Sequence, residues 1–467
     1  MRMTTGTQPD WAVGFQPVTE ETLNAPLTVV HGRVPDGLRG TFYRNGPARH
    51  ALGGRRYHHW FDADGMVQAF RFTDDGVTHH GRFVETAKHA AERDAGAFQY
   101  PAFGTPIADP RTAGVDQWNT ANTNVVPHHG RLLALWEGGS AHALVPDDLR
   151  TAGPVAWSED TAGWPFSAHP HVEPDGTMWN FGMRTAEGAL ALYEIAPDGR
   201  LRRAETVALD NGTPMIHDFV VTDRHLVFVL PPFHFHGWKL LTKNCVLDCF
   251  RWEPRKGTRV LVVDKADWDR RQWFELPASF IFHFGGGWDD GDCIRLDYER
   301  YRNPDVATKF ARKVMAGKSM RLDAAAATQA VLDLRRGTAH EARFAASSEF
   351  PRIHPDRVGG RYRYRYSVVS DGTHAHPFQN GVRRVDMETG AEATYCFGPE
   401  AITEEHVVVP KPGARDEAEA WLLGTLLDTA SGRTRLNVLD AARLGDGPVF
   451  QAELPHALPL GFHGNFA

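Results

Sequence analysis

The chain has little that would carry it out of a cell, through a membrane or onto nucleic acid. Its opening, MRMTTGTQPDWAVGF, is interrupted by polar residues and holds no apolar stretch of secretory length. No run approaches the ~18 apolar residues needed to cross a bilayer. Only four cysteines occur, Cys245, Cys249, Cys293 and Cys396, at irregular spacing. A single C-x-x-x-C pair is a poor zinc or disulfide framework, so reduced thiols and a cytoplasmic location are expected. No block of five basic residues appears and the formal net charge is −7, which argues against nucleic acid as a partner. The nucleophile elbow G-x-S-x-G is missing, and GKS at 317–319 has Arg312 where a phosphate loop needs its first glycine.

Long amphipathic helices are missing too. In their place, short strand-like runs alternate with Gly, Asp and Pro. QAFRF-TDDG-VTHHGRF, HVE-PDG-TMWNFGM, ALYEIA-PDG-RLRRAETVAL, VLDL-RRG-TAHEARF and RRVD-METG-AEATYCF each read as strand, tight turn, strand. Glycine ends these turns because their central residues need a positive φ. The pattern predicts an all-β sandwich, barrel or propeller rather than a parallel α/β sheet. In AAAATQAVLDL (324–334) four alanines favour a helical opening, and the second half reads as strand. GGGWDDGD (285–292) has neither phosphate-loop nor EF-hand spacing and reads as a turn. No low-complexity linker divides the chain, so residues 1–467 are expected to form one domain.

Of the 24 histidines, four stand in apolar strand or turn contexts: His169, His217, His283 and His463. Singly, such a histidine is more often a core group bonded to a carbonyl than a ligand. Their wide separation excludes a zinc finger or an H-E-x-x-H helix. It suits a propeller, in which each blade can send one residue to a common axis.

FYRNGP (42–47), HWFDADGM (59–66), NTNVV (122–126), ALWEGG (134–139), AHP (168–170), IHDFVVT (216–222), FHFGGGWDDGD (282–292), EFPRI (349–353), EEHVVVPKP (404–412) and GFHGNF (461–466) follow one another along nearly the whole chain. In type and order they resemble the motifs of the carotenoid cleavage oxygenase family. The resemblance implies a seven-bladed β-propeller, with capping loops and short helices forming an apolar substrate tunnel over an axial iron. It implies Fe(2+) held by His169, His217, His283 and His463, with His171 outside the set. Glu137, Glu349 and Glu405 would anchor the second ring nitrogens, and Glu404 stands beside the last of them. Thr123 falls where apocarotenoid-cleaving members place a methyl near the metal.

By the same resemblance the reaction splits a carbon–carbon double bond with dioxygen into two carbonyls, and the partners are dioxygen and a small lipophilic alkene. Stilbene-cleaving relatives place a lysine where this chain has Trp136, so a carotenoid or apocarotenoid is the expected substrate. Stilbenoids are the alternative, with Tyr100 as a phenol contact. A retinoid-isomerase-like activity would use the same ligands, whereas a calcium-dependent propeller hydrolase would use Asp and Asn. The apolar segment 231–254 has two readings: packing on the propeller or tunnel, or peripheral contact with a membrane surface.

Overall fold

A computed structural model describes residues 8–467 apart from 75, 112–113, 211, 244 and 323–324. Met1–Thr7, and with them the start of the expected domain, lie outside the described residues, as does the Ala324 opening of the alanine run.

Every hairpin expected from the turn chemistry is present. Gly65–Thr73 pairs with Gly76–Phe83, His171–Val172 with Met178–Arg184, and Ala189–Ile195 with Leu201–Ala208. Ala326–Asp333 pairs with Thr338–Ala345, and Gly381–Asp386 with Glu392–Cys396. The described part of the alanine run is strand, not helix, from Ala326 onward. Alanine's helix preference is a fraction of a kcal/mol per residue. Here the segment is hydrogen-bonded on both edges, with Ala327, Ala330 and Leu332 buried, and pairing outweighs propensity.

Seven four- or five-stranded antiparallel sheets make up the molecule among the described residues, with two minor sheets beside them. They are the blades of a β-propeller. In chain order their hairpins span 22–83, 124–154, 171–208, 220–276, 280–345, 349–396 and 401–453. Two blades are completed from the opposite end of the chain. Gly464–Phe466 pairs with Gly40–Pro47 as the innermost strand of blade one, and Thr28–Gly32 pairs with Pro448–Glu453 as the outermost strand of blade seven.

The cores lie between blades. Phe181 and Leu192 of blade three meet Phe219, Phe228 and Leu261 at blade four, and Val227 and Val262 of blade four meet Leu296 and Leu332 of blade five. Such burial gives ~25 cal/mol per Å² of apolar surface, so adjacent blades hold each other in register. The long connections, including the helices Ala87–Ala95 and Ala311–Met315, gather over one end of the axis. There Trp11, Phe15, Tyr57, Phe98, Phe310 and Phe378 form a separate capping core.

Candidate metal centre

Each of the seven blades delivers one chemically competent side chain toward the axis. His169 and His217 precede the inner strands His171–Val172 and Val220–Val221 of blades three and four. His283 lies within Phe280–Asp290 of blade five, and His463 immediately precedes Gly464–Phe466 of blade one. Glu137 follows Arg131–Leu135 of blade two, Glu349 opens Glu349–Ile353 of blade six, and Glu405 lies in Ala401–Pro410 of blade seven.

The imidazoles converge, with one ligand atom of each within 4.8 Å of every other. Successive Nε2 atoms are 2.9 Å (His169, His217), 3.2 Å (His217, His283) and 3.2 Å (His283, His463) apart. On the far side of the rings, His217 Nδ1 meets Glu137, His283 Nδ1 lies 2.6 Å from Glu349 Oε2, and His463 Nδ1 lies 3.0 Å from Glu405 Oε1. A carboxylate accepts, so those three rings donate through Nδ1. In the neutral state each must then carry a lone pair on Nε2. Lone pairs facing one another across ~3 Å repel unless a cation lies between them. Nitrogens bound ~2.1 Å from one ion at right angles are ~3 Å apart, so the donor set and its spacing fit a transition-metal ion.

The fourth ring is held differently. His169 Nδ1 stands 4.0 Å from Asp218 Oδ1, beyond hydrogen-bond range. Asp218 accepts instead from the Phe219 and Phe284 N–H groups at 2.7 and 3.1 Å, and from His171 Nε2 at 3.2 Å. His171 also reaches the Phe219 carbonyl at 2.8 Å. His171 is therefore outside the cluster and employed in holding blades three and four together.

Burial, then the neighbouring imidazoles, keeps the His169 pKa far below the ordinary histidine value. Burial likewise brings His463 down to about 4, against the pull of Glu405. Burial would lower His283, yet it is raised, because Glu349, Asp218 and Glu405 around it together outweigh the burial. Glu349 and Glu405 are buried, which alone would raise them, yet both are lowered by their partners: His283, Tyr301 and the Phe350 N–H for Glu349, and Arg352 with His463 for Glu405. A divalent ion requires neutral imidazoles, the form that His169 and His463 already favour.

A cavity runs from the cap to this cluster. Trp60, Phe61, Phe103, Phe282, Phe350, Phe378 and Phe462 give it an aromatic wall, and Glu137, His217, His283 and His463 line it as well. Thr123 and Trp136 both line it. Thr123 donates its hydroxyl to Asn122 Oδ1 at 3.1 Å, and the Trp136 ring packs edge-on against Trp118, centroids 4.8 Å apart. Tyr100 is buried elsewhere, outside this lining. The phenol that does reach the cavity is that of Tyr301, which donates to Glu349. A second, more polar cavity approaches from the opposite side along the inner strands and shares His283, Phe350 and His463 with the first.

Sequence reasoning missed Tyr301, Asp218 and Arg352, whose roles arise from partners far away in the chain. Glu404 and Glu405 are both buried, and Glu405 is the one that meets a histidine of the cluster. Arg352 grips Glu405 through two bonds of 2.9 Å.

These features agree with what the chain resembles. The family model described as retinal pigment epithelial membrane protein (RPE65) matches residues 15–467. The apocarotenoid-15,15'-oxygenase of Synechocystis is 31% identical, covering 98% of this chain and 96% of that protein. The lignostilbene-alpha,beta-dioxygenase isozyme III of Sphingomonas paucimobilis is 28% identical over 94% of this chain and 93% of its own length. A crystal structure of cobalt-substituted Synechocystis apocarotenoid oxygenase superposes with a TM-score of 0.89 at 30% identity, covering 98% of each chain. The chain belongs to the RPE65 family of carotenoid cleavage oxygenases, and is an oxygenase-type enzyme with a four-histidine cluster that could hold a metal ion.

Proposed function

We propose that this protein is an iron(II)-dependent dioxygenase that cleaves one carbon–carbon double bond of an apocarotenoid or carotenoid to two carbonyl products. The observation that carries the reading is an aromatic cavity lined by three histidines of the four-histidine cluster. His169, His217, His283 and His463 would hold the ion. When bound, iron(II) supplies the one-electron chemistry that lets dioxygen react with a closed-shell alkene. The side chains do the rest. The phenylalanine walls exclude water and fix a flat conjugated chain, so that one double bond faces the cluster. Glu137, Glu349 and Glu405 set the ring orientations, and Thr123 lines the cavity that would hold the substrate.

Iron rather than another borderline metal rests on the reaction, since imidazoles alone do not choose. Trp136 favours a polyene, because an indole offers a broad apolar face and no cation for a phenolate. The lignostilbene-cleaving relative favours a second reading, stilbenoid cleavage. Aerobic incubation of iron(II)-loaded protein with an all-trans apocarotenal, a carotene and resveratrol, followed by mass spectrometry, separates these. Aldehydes from the polyenes support the proposal and aldehydes from resveratrol alone support the second. An isomerised polyene with no cleavage points to a retinoid-isomerase-like activity.

We further place the enzyme in the cytoplasm as one folding unit, on the strength of its unpaired cysteines and of the blades that combine both chain ends. Contact with a lipid surface would come through Gly237–Leu241, where Trp238 and Leu240 are exposed. The rest of the 231–254 segment mainly packs: Phe233, Cys245 and Leu247 join the core behind the cavity wall.

A further inference from the structure

Glu404 and Glu405 are neighbours in the inner strand of blade seven, and in a regular strand neighbouring side chains point to opposite faces. Here they do not. The ladder with Ala420–Asp428 runs Thr403 to Leu426 and then His406 to Gly424, so both glutamates face the single residue Thr425. This is a β-bulge, which re-aims side chains. A Cβ at Gly424 would stand 2.5 Å from His406 Nδ1 and 2.6 Å from the Glu405 carbonyl, so the bulge needs glycine there.

The bulge turns both carboxylates onto the C-terminal segment. Glu405 accepts from His463 Nδ1 at 3.0 Å and from the Gly464 N–H at 2.8 Å. Glu404 accepts from the Gly461 N–H at 2.6 Å and the Thr425 hydroxyl at 2.7 Å, and is paired with Arg44. Arg44 in turn donates to the Pro459 carbonyl at 3.0 Å. Residues 454–463 belong to no strand. Regular strand pairing begins only at Gly464, directly after His463. His463 itself is tied to Asn45, which receives the Phe462 N–H and donates to the His463 carbonyl, and to the Thr123 carbonyl, while these carboxylates hold the residues on either side of it.

We propose that Glu404, through its ion pair with Arg44, is a positioning residue for His463 and so governs how long the centre keeps its metal. The inference rests on the metal reading above. Gly461 packs so closely on Arg44 that a Cβ would lie 2.5 Å from Nη2. Any shift of the buried pair must therefore move the segment two residues before the histidine. Gln at 404 keeps the size and one acceptor but leaves the buried Arg44 without its counter-charge.

The test compares Glu404→Gln with Glu92→Gln. The latter weakens another buried ionic cluster, Lys88 with Asp64 and Glu92, which touches none of the histidines. Both variants and wild type are loaded with cobalt(II), their visible bands recorded, and metal transfer to a chelator timed well below the melting temperature. Loss of a direct carboxylate partner costs ~10- to 100-fold in metal affinity. A group one step further out is expected to speed stripping by ~3- to 10-fold and to shift the cobalt band, with Glu92→Gln behaving as wild type. Stripping and spectrum unchanged in Glu404→Gln, or equally changed in Glu92→Gln, overturn the inference. Should Glu404→Gln fail to fold, Arg44→Lys replaces it, keeping the charge but loosening the guanidinium's grip on Glu404 and the Pro459 carbonyl. Faster stripping then supports the inference and wild-type stripping overturns it. A wild type that holds no metal overturns the metal centre as well, which sets that failure apart from this one.

Discussion

His169 and His171 are separated by one proline, yet their surroundings give them different work. His169 meets three other imidazoles, whereas His171 spends its Nε2 on Asp218 and the Phe219 carbonyl. Ala at 169, 217, 283 or 463 should therefore abolish bound metal and activity together. His171→Ala should retain about one metal per chain by elemental analysis and lose only stability. Metal lost from His171→Ala but kept by His169→Ala would reverse the assignment. The glutamates should not behave alike. Glu405 is enclosed and held by Arg352, whereas the Glu137 side chain is 30% exposed and water can replace part of its role. Glu405→Gln and Glu349→Gln should each weaken metal binding by ~10- to 100-fold, and Glu137→Gln by less. Trp136 carries the substrate prediction. Wild type should turn over an apocarotenal with a much larger kcat/KM than a hydroxystilbene, and Trp136→Lys should cut the polyene rate. A tenfold advantage for the stilbene would make Trp136 a wall residue and not a selector.

At the scale of elements, the short 3-10 turn Gly237–Leu241 holds two of the large apolar side chains that the fold leaves in water, Trp238 at 66% and Leu240 at 54% exposure. Two such residues beside Lys239 and Lys243 would make a weak, salt-sensitive lipid anchor. Sedimentation with anionic vesicles should pull down wild type, and the double variant Trp238→Ser, Leu240→Ser should remain in the supernatant. Equal sedimentation would return the segment to a packing role. The bulge at Glu404 and Glu405 is an element whose disruption is also measurable. Gly424→Ala forces its Cβ onto His406 and the Glu405 carbonyl, and overpacking of this kind costs ~1–3 kcal/mol. Its melting temperature should fall, and metal content with it, because the register of both glutamates depends on that glycine.

The whole molecule couples ring closure to the centre. The last strand of the chain closes blade one and is preceded directly by His463, so a metal bound at His463 also holds the closing strand. A ligand that binds only the folded state stabilises by RT ln(1 + [L]/Kd), ~2.7 kcal/mol at a hundredfold excess over Kd. Metal-loaded protein should therefore melt higher than chelator-treated protein. Deleting residues 464–467 should abolish that difference, since the strand that fixes His463 is gone. A metal-dependent shift that survives the deletion would show closure and binding to be independent.

The turn chemistry of the chain was enough for the hairpins, because Asp-Gly and Pro-Asp-Gly pairs act over four residues. The same holds for His169, His217, His283 and His463, whose local motifs stand in recognisable order. Blade count was legible only through resemblance, since strand spacing is too irregular to number seven sheets. Three things were decided by the tertiary structure alone. Tyr301 and Arg352 reach Glu349 and Glu405 across 48 and 53 residues of chain. Glu404 faces inward only because a bulge breaks the two-residue alternation that its sequence would follow. The alanine run beyond Ala326 is strand because two neighbouring strands complete its hydrogen bonds. Local sequence encodes turns and motifs, where the interacting groups are a few residues apart. Long-range partners and register are set by packing and pairing between blades, which depend on the closure of the entire ring.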